Sequence, residues 1–338
     1  MTSSPPTFSQ PTFSHLTGPE DTIPLVCGKS VGRLWGIMRL LLVDGHYFLY
    51  RSFYAIRGLR NSRGEPTNAI YGYAKALRKM LADVQPDRAA VIWDAGLPAR
   101  RVALQPGYKQ NRTAMPDDLR PQEDWLQANV PLFGPASISS EETEADDLIA
   151  SYALAAAGEG AEVIIATNDK DILQIASPSI RIYSTAKTDA GTAGFVLLGV
   201  EEVQKKWGVE PARIADVLAL TGDASDNIPG VPGIGEKTAV SLVSQHGTVS
   251  SILENPSAIP NEKLRAKIES ARQQILDNRE MVRLDDDLPL PVPWQDFRIE
   301  PSYPALIDAL RACEFRGLVA EIEKEASAHR PSAQGELF

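Results

Sequence analysis

The sequence predicts an α/β protein whose core is a parallel sheet covered by helices on both faces, followed by a smaller helical region. Three short, almost wholly apolar runs support the sheet, because strands buried on both faces lack the polar alternation of half-exposed strands. Helical periodicity fills the segments between these runs, and such alternation is typical of parallel α/β folds. From about Val200 onward the pattern is helical. We therefore expect two structural units.

Residues 1–37 show no periodicity and are rich in Ser, Thr, Pro and Gly. We predict a disordered leader there. Met38 stands immediately before the first predicted strand, so we interpret the leader as an over-extended translation start. A secretory signal is not indicated, since no charged start leads into a continuous apolar stretch. The α/β core is expected over residues 38–199.

The predicted strands of the core end close to carboxylates. The strands are Arg39–Val43, Ala89–Trp93, Glu162–Ala166 and Ile180–Tyr183, and the helices between them are Asn68–Leu81, Pro121–Asn129 and Ala145–Ala157, the last stopped by Gly158. Asp44 and Asp94 directly follow the first two strands, and Asp169 follows the third by three residues. Ligands of parallel α/β sheets bind beyond the carboxyl ends of the strands. This edge is therefore the expected site.

The helical region is expected over residues 200–318, with a segment rich in Gly and Pro at 221–238 (TGDASDNIPGVPGIGEKT). Glycines at this point allow a close approach of the backbone to a phosphate, and the following helix offers free N–H groups at its start. A structural turn is the default alternative for such a segment. Residues 319–338 are predicted to form a C-terminal tail.

Composition excludes several functional classes. The 338 residues are 43% hydrophobic and 23% charged, as is ordinary for a globular enzyme. No apolar run is long enough for a membrane span. Two cysteines, Cys27 and Cys313, are too few for a disulfide framework or a zinc cage, which favours a reducing cytoplasm. The four histidines lack ligand spacing. A net charge of −10 does not by itself suggest nucleic acid.

Acidic residues form the constellation that carries chemistry. Its nine members are Asp44, Asp94, Glu144, Asp146, Asp147, Asp169, Asp171, Asp223 and Asp226. Each alone is equally explicable as a cap, a turn or a first-turn acid. Together at one sheet edge, they would raise each other's pKa values or require a cation. Oxygen ligands without histidine suit Mg²⁺ or Mn²⁺, and so many acids suit two ions in phosphodiester hydrolysis. Bound ions would also offset much of the negative charge.

These stretches resemble the 5′–3′ exonuclease domain of bacterial DNA polymerase I and, more widely, the flap endonuclease family. The matching segments are LLLVDGHYFLYRSF, VIWDA, GYKQNRTAMPDDLRPQ, EADDLIA, ATNDKDILQI and ALTGDASDNIPGVPGIGEKTA, in the family's order over roughly Arg39 to Arg316. The resemblance implies a PIN-like nuclease core, a helical arch over about 97–120 and a helix–three-turn–helix at 221–238. No polymerase segment follows in this chain.

The resemblance also implies residue roles. Asp44, Asp94, Glu144 and Asp146, with Asp147, would serve a first metal ion, and Asp169, Asp171, Asp223 and Asp226 a second. Lys109, Arg112 and Arg51 would contact the scissile phosphate. The expected DNA contacts are Tyr108, Arg101, Gly230, Gly233, Gly235 and Lys237, with K⁺ bound at the hairpin segment. The chain has Arg100-Arg101 where family members often have Phe-Arg, which leaves the packing of the arch open.

The expected activity is that of a structure-selective 5′ nuclease, a monomer acting in the cytoplasm at the nucleoid. Its substrates would be DNA flaps, nicks and ends, and RNA primers on DNA. The terminal residues Gln334, Leu337 and Phe338 resemble a peptide that docks on the sliding clamp, although an arbitrary tail is equally compatible. Two alternatives remain: a PIN-type ribonuclease, which would lack the hairpin segment, and a DNA-binding scaffold without catalysis, which would have lost acids.

Overall fold

A six-stranded sheet organises the first part of the chain. The computed structural model describes residues 36–187 and 193–328. The strands are β1 (Arg39–Asp44), β2 (Arg88–Trp93), β3 (Ala136–Ser139), β4 (Glu162–Ala166), β5 (Ile180–Lys187) and β6 (Ala193–Leu198), in the spatial order β3-β2-β1-β4-β5-β6. All neighbouring strands are parallel except β6, which runs antiparallel to β5. Because β1 is central, its end lies between the ends of β2 and β4.

Helices cover both faces of this sheet. In the core they are α1 (Gly45–Ala55), α2 (Asn68–Val84), α3 (Ala99–Leu104), α4 (Arg120–Asn129) and α5 (Ala145–Gly158). Leu40 and Leu42 of β1 pack in one hydrophobic cluster with α5, whereas Leu41 and Val43 pack in the other with α1, α2 and α4. Between its charged ends, the strand is buried on both faces and is therefore apolar at every position from Leu40 to Val43.

Six further helices form what we call the helical subdomain. They are α6 (Val200–Trp207), α7 (Ile214–Thr221), α8 (Glu236–His246), α9 (Val249–Glu254), α10 (Glu262–Ser270) and α11 (Arg272–Val282). Between α7 and α8 lies a two-stranded ribbon, β7 (Gly222–Asp223) with β8 (Ile228–Pro229). The buried residues of these helices join the hydrophobic cluster under α5 without a break. The subdomain and the α5 face therefore share one core.

The C-terminal helices depart from the sequence prediction. Helices α12 (Tyr303–Ala312) and α13 (Arg316–Ala328) pack against the opposite face, in the cluster that contains α1 and α2. The tail expected from residue 319 is helical as far as Ala328, because Leu318, Val319 and Ile322 are buried at helical spacing. Residues 1–35, 188–192 and 329–338 lie outside the described residues, and with them most of the predicted leader and the clamp-like peptide.

Three other features differ from expectation. Strands β3 and β6 were not predicted, since β3 is short and only partly buried and β6 is antiparallel. The arch segment, residues 97–120, contains only the six-residue α3 before α4 begins. Elsewhere the predicted strands and helices match within a few residues. In the part of the chain that the structure describes, every helix is too short or too polar to cross a membrane.

Candidate active site

The acids that end the strands are held by local hydrogen bonds. Asp44 closes β1 and caps α1, its Oδ1 accepting from the Tyr47 N–H at 2.9 Å. Its Oδ2 accepts from the Thr167 hydroxyl at 2.8 Å, just after β4. Asp94, after β2, accepts from the Ala145 N–H at 2.7 Å, at the start of α5. These two acids therefore accept hydrogen bonds from the first turns of helices and also lie at the carboxyl edge of the sheet.

Two compact carboxylate groups lie at this edge. We call Glu144, Asp146 and Asp147 the first cluster and Asp171, Asp223 and Asp226 the second. In each, one oxygen from every member lies within 4.8 Å of the others. The first comes from the start of α5, and the second joins the loop after β4 to the ribbon between α7 and α8. The structure thus brings the second cluster together from residues about 50 positions apart.

Burial keeps several of these acids protonated at higher pH than usual. It raises the pKa of Asp44 to about 6, with Asp94 and Asp169 adding repulsion. Burial, then Asp147 and Glu144, raise the pKa of Asp146 well above its ordinary value.

In the second cluster, the pKa of Asp223 is lowered by an ion pair, whereas the pKa of Asp171 is raised. Burial would raise the pKa of Asp223, but Lys170, whose Nζ lies 2.7 Å from Asp223 Oδ2, lowers it. Burial, followed by repulsion from Asp169, raises the pKa of Asp171 well above its usual range. Burial also raises the pKa of Asp169. The Oδ1 atom of Asp171 is buried without a hydrogen-bond partner.

This donor set fits divalent metal ions. Its ligand atoms are all carboxylate oxygens, which hard cations such as Mg²⁺ and Mn²⁺ prefer. A buried carboxylate oxygen without a donor, such as Asp171 Oδ1, is normally costly, and a cation removes that cost. The raised pKa values have the same remedy, since a cation favours the charged form. The residues present are thus suited to bind metal ions at both clusters.

The arch segment places cations across the two clusters. The Lys109 ammonium pairs with Glu144 of the first cluster and lies 3.7 Å from Asp226 Oδ2 of the second. Arg112 Nη2 lies 2.7 Å from Asp226 Oδ1, with the Arg112 side chain half exposed. Lys109 therefore lies between the two clusters, and Arg112 lies against the second.

Two arch residues lie deeper than expected. Arg101, predicted to contact DNA, is 2% exposed and bonded to Glu144 and Asp147, so its guanidinium cannot reach a nucleic acid in this conformation. Tyr108 is 4% exposed, and its hydroxyl donates to Glu144 Oε2 at 3.0 Å, so it is not available for stacking. Basic and aromatic residues in a loop suggested an exposed DNA-binding surface. Instead, hydrogen bonds to buried acids hold both side chains in the interior.

Arg51 lies on α1 and faces β6. Its guanidinium carbon is 5.8 Å from the centroid of the Phe195 ring on β6. Tyr47, one turn before it, hydrogen-bonds to Thr185 of β5 at 2.8 Å. A contact between Arg51 and the scissile phosphate stays a prediction.

The hairpin segment is shaped by backbone contacts. A Cβ on Gly230 would lie 2.0 Å from the Thr221 carbonyl oxygen, so Gly230 is required by this crossing rather than by a ligand. Gly233, with φ of +76°, and Gly235 are exposed beside Lys237 in the turn that begins α8. The Lys267 ammonium lies 3.4 Å from the Gly233 carbonyl oxygen. The exposed turn, with its cations, remains the expected phosphate contact.

Several residues near the acids were not predicted. His46 Nε2 lies 2.7 Å from Glu123 Oε1, and its Nδ1 accepts from the Asp94 N–H at 3.2 Å. Asn168 hydrogen-bonds to Ser184 and Thr185 and so ties the loop before Asp169 to β5. The available signal was that His46 lies two residues after Asp44 and that Asn168 directly precedes Asp169. Their partners, however, lie elsewhere in the sequence.

Known protein families match this chain in two consecutive segments. Residues 39–208 match the family described as 5′-3′ exonuclease, N-terminal resolvase-like domain, and residues 209–305 match 5′-3′ exonuclease, C-terminal SAM fold. DNA polymerase I of Rhizobium leguminosarum is 36% identical over 87% of this chain and 29% of that protein. DNA polymerase I of Bacillus subtilis is 37% identical over 75% of this chain and 28% of that protein. The chain thus spans under a third of the length of these relatives.

Solved structures share the fold at low identity. The T5 D15 protein co-crystallised with metal ions has a TM-score of 0.60 at 19% identity, covering 85% of this chain and 97% of that one. The catalytic core of Rad2 in complex with DNA has a TM-score of 0.53 at 14% identity, covering 82% of this chain and 88% of that one. With both family domains matched in order and relatives above 30% identity, this chain belongs to the 5′–3′ exonuclease family.

Proposed function

We propose that this chain is a structure-selective 5′–3′ exonuclease and flap endonuclease that uses two divalent ions in DNA replication and repair. The observation that carries the proposal is the pair of carboxylate clusters at one sheet edge, with Lys109 of the arch segment between them. Its substrates are DNA with 5′ flaps, nicks or ends, and RNA primers on DNA. A T5 relative in fold is a flap endonuclease in a pseudo-enzyme–product complex with DNA and metal ions.

The acids divide between the two ions by position. We assign Asp44, Asp94, Glu144 and Asp146 to one ion, and Asp169, Asp171, Asp223 and Asp226 to the other. Mg²⁺ or Mn²⁺ bound there would supply a hydroxide from bound water and stabilise the leaving oxygen of the phosphodiester. Asp223, already paired with Lys170, contributes through water or through its charge.

The arch cations act on the phosphate. Lys109 and Arg112 now neutralise Glu144 and Asp226, and bound divalent ions would take over that role. The freed ammonium and guanidinium groups would then hold the non-bridging oxygens of the scissile phosphate, where charge builds up in the transition state. Arg51 assists from α1.

The hairpin segment holds the duplex without reading its sequence. Exposed backbone N–H groups at the start of α8, with Gly233, Gly235 and Lys237, suit a phosphodiester backbone. We propose that K⁺ binds at the same segment, where backbone carbonyl groups would hold it and it would add positive charge for a phosphate. Duplex held there and a single strand under the arch segment would together select the junction between them.

A labelled 5′-flap substrate tests the proposal. The full chain with Mg²⁺ should cut the flap substrate near its junction. It should make no internal cuts in a blunt control duplex. Cleavage of single-stranded RNA with no preference for the junction would instead favour a PIN-type ribonuclease. Tight flap binding with no cleavage in Mg²⁺ or Mn²⁺ would favour a catalytically inactive scaffold.

We also propose that the C-terminal peptide binds the sliding clamp. Gln334, Leu337 and Phe338 lie outside the described residues, so the support is the sequence QGELF alone. Leu and Phe would fill an apolar pocket and Gln would supply a polar anchor. Deleting residues 334–338 should abolish binding of the purified chain to a bacterial clamp and leave flap cleavage without the clamp unchanged. Equal clamp binding by both proteins would contradict the assignment.

A further inference from the structure

Arg101 is an interior cation with a complete set of partners. Its guanidinium has five N–H groups, and all of them donate to protein oxygens. Two go to the backbone carbonyls of Met281, at 3.0 Å, and Arg283, at 2.9 Å. The others go to Asp147 and Glu144 of the first cluster. A side chain that is 2% exposed and fully bonded is part of the core, not a surface contact.

Asp147 is saturated in the same way. Its Oδ2 accepts from Arg101 Nη1 at 2.6 Å, and its Oδ1 accepts from Arg101 Nη2 at 2.7 Å and from the Asp285 N–H at 2.8 Å. This is the two-pronged geometry that guanidinium and carboxylate groups prefer. A metal ion could reach Asp147 only after this pair had separated inside the protein. That separation would leave two buried charges unpaired.

Its neighbour Asp146 has the opposite environment. Asp146 is partly exposed, and its Oδ1 accepts only from the adjacent Asp147 N–H, at 2.9 Å. Proximity of three acids to one another therefore does not make all three ligands. Asp146 is open to a cation, whereas Asp147 already has one.

We propose that Asp147 is not a metal ligand, and that the Arg101–Asp147 pair is a positioning device for the first metal site. Arg101 also donates a hydrogen bond to Glu144 and so restrains that side chain. Its bond to the Met281 carbonyl ties the start of the arch segment to the end of α11. Arg100 reinforces the same junction, its Nη2 lying 3.0 Å from Asp285 Oδ1. This inference rests on the proposed function, because it refines which acids serve the first ion.

A double-substitution cycle tests the assignment. The variants of the full chain are Asp147→Asn, Arg101→Gln and the two combined, with Asp146→Asn alone and combined with Arg101→Gln as the matched control. Titration with Mn²⁺ alone, followed by calorimetry, gives the affinity, and thermal unfolding gives stability. Flap cleavage across Mg²⁺ concentrations gives the half-saturating concentration.

The pair predicts rescue at one position only. Asp147→Asn leaves Glu144 as the one charged partner of Arg101, so Arg101 competes with the ion for Glu144 and Mn²⁺ affinity should fall about tenfold or more. Adding Arg101→Gln should recover most of that loss, because replacing both partners removes the competing charge. Asp146→Asn should lose affinity to the same degree whether or not Arg101 is replaced. The melting temperature should follow the same pattern at Asp147.

Other outcomes overturn the inference. If Asp147 binds metal, the combined variant will be as weak for Mn²⁺ as Asp147→Asn. If the pair is only structural, stability will recover while Mn²⁺ affinity stays at the native value in every Arg101 and Asp147 variant. Should Asp147→Asn not fold, Arg101→Lys alone tests the pair, because lysine keeps the charge but not the two-pronged geometry. Native Mn²⁺ affinity in that variant would contradict the positioning role. A native chain that neither binds Mn²⁺ nor cuts flaps would instead refute the proposed function.

Discussion

At the scale of single residues, several acids of the site destabilise the folded chain when they are charged and no cation is bound. Asp44 is the clearest case, because its folded pKa of about 6 lies above its ordinary value of 3.8. The folded chain therefore binds this proton more tightly than the unfolded chain does. Without metal, the resulting stability is complete below the ordinary pKa and is lost as pH rises through about 6. Asp146, Asp169 and Asp171 shift in the same direction.

Metal ions should consequently stabilise the chain more at high pH than at low pH. We expect Mg²⁺ to raise the melting temperature by several degrees at pH 8 and by much less at pH 5, where these carboxyls keep their protons. Thermal unfolding with Mg²⁺ or EDTA at both pH values measures this difference. An equal increment at the two pH values would show that the raised pKa values do not govern metal binding. Na⁺ at matched ionic strength is the control.

Removing one ligand should separate catalysis from binding. Asp169→Ala is expected to slow flap cleavage on the order of a thousandfold, because a bound metal supplies several kcal/mol to the transition state. Flap affinity should change less than tenfold, since the hairpin segment supplies the duplex contacts. Single-turnover cleavage and fluorescence anisotropy give the two quantities. Asp308→Ala, an exposed acid on α12, should change neither. A parallel loss of rate and affinity would remove the assigned role.

At the scale of elements, Asn168 couples the loop after β4 to the hairpin formed by β5 and β6. Its Oδ1 accepts from the Ser184 hydroxyl at 2.6 Å and from the Thr185 N–H at 2.7 Å. Its Nδ2 donates to Thr185 Oγ1 at 2.7 Å. The adjacent Thr167 hydroxyl accepts from the Asp169 N–H at 3.0 Å and donates to Asp44. One loop thus orients two acids of the site.

Loosening that loop should weaken metal use before it weakens the fold. We expect Asn168→Ala to raise the half-saturating Mg²⁺ concentration roughly 10- to 100-fold, the range typical of residues that orient ligands. Cleavage at saturating Mg²⁺ should change much less. Thr185→Val removes one of these three bonds and should give a smaller change in the same direction, whereas Ser177→Ala, just before β5, should give none. An unchanged Mg²⁺ profile in Asn168→Ala would exclude this coupling.

The elements also show what sequence can and cannot predict. Strands β1, β2 and β4 were predictable because burial on both faces demands continuous apolar runs, and the acids after them could therefore be placed at one edge. Strand β3 has too little apolar content to be distinguished from a loop. The placement of α12 and α13 on the far face depends on tertiary contacts, as does the inward turn of Arg101. A basic residue in a loop gives no local sign that it will meet a buried acid.

At the scale of the whole molecule, the chain must bring polyanionic DNA to an acidic edge. The net charge is −10, and the acids cluster where the phosphate must come. Coulomb repulsion opposes binding there until cations offset it. The basic residues of the arch and hairpin segments, with Arg51 on α1, then supply the local attraction.

Flap binding should therefore depend on divalent ions even when no cleavage occurs. We expect the affinity of Asp169→Ala for a labelled flap to be about tenfold or more higher in Ca²⁺ than in EDTA, a difference of about 1.4 kcal/mol. Anisotropy at constant ionic strength measures it. A blunt duplex that engages only the hairpin segment is the control and should respond less. Equal affinities for the flap in Ca²⁺ and EDTA would contradict this account of the charge.

The central position of β1 has a consequence for synthesis. Its parallel partner β4 begins 123 residues later, where Arg39 pairs with Glu162. At ribosomal rates this gap corresponds to on the order of ten seconds. During that interval one edge of an apolar strand has no native neighbour in the sheet, and the helices already made can cover only its faces. Fragments that end before residue 162 should accordingly aggregate, whereas fragments that include β4 and β5 should remain soluble long enough to fold.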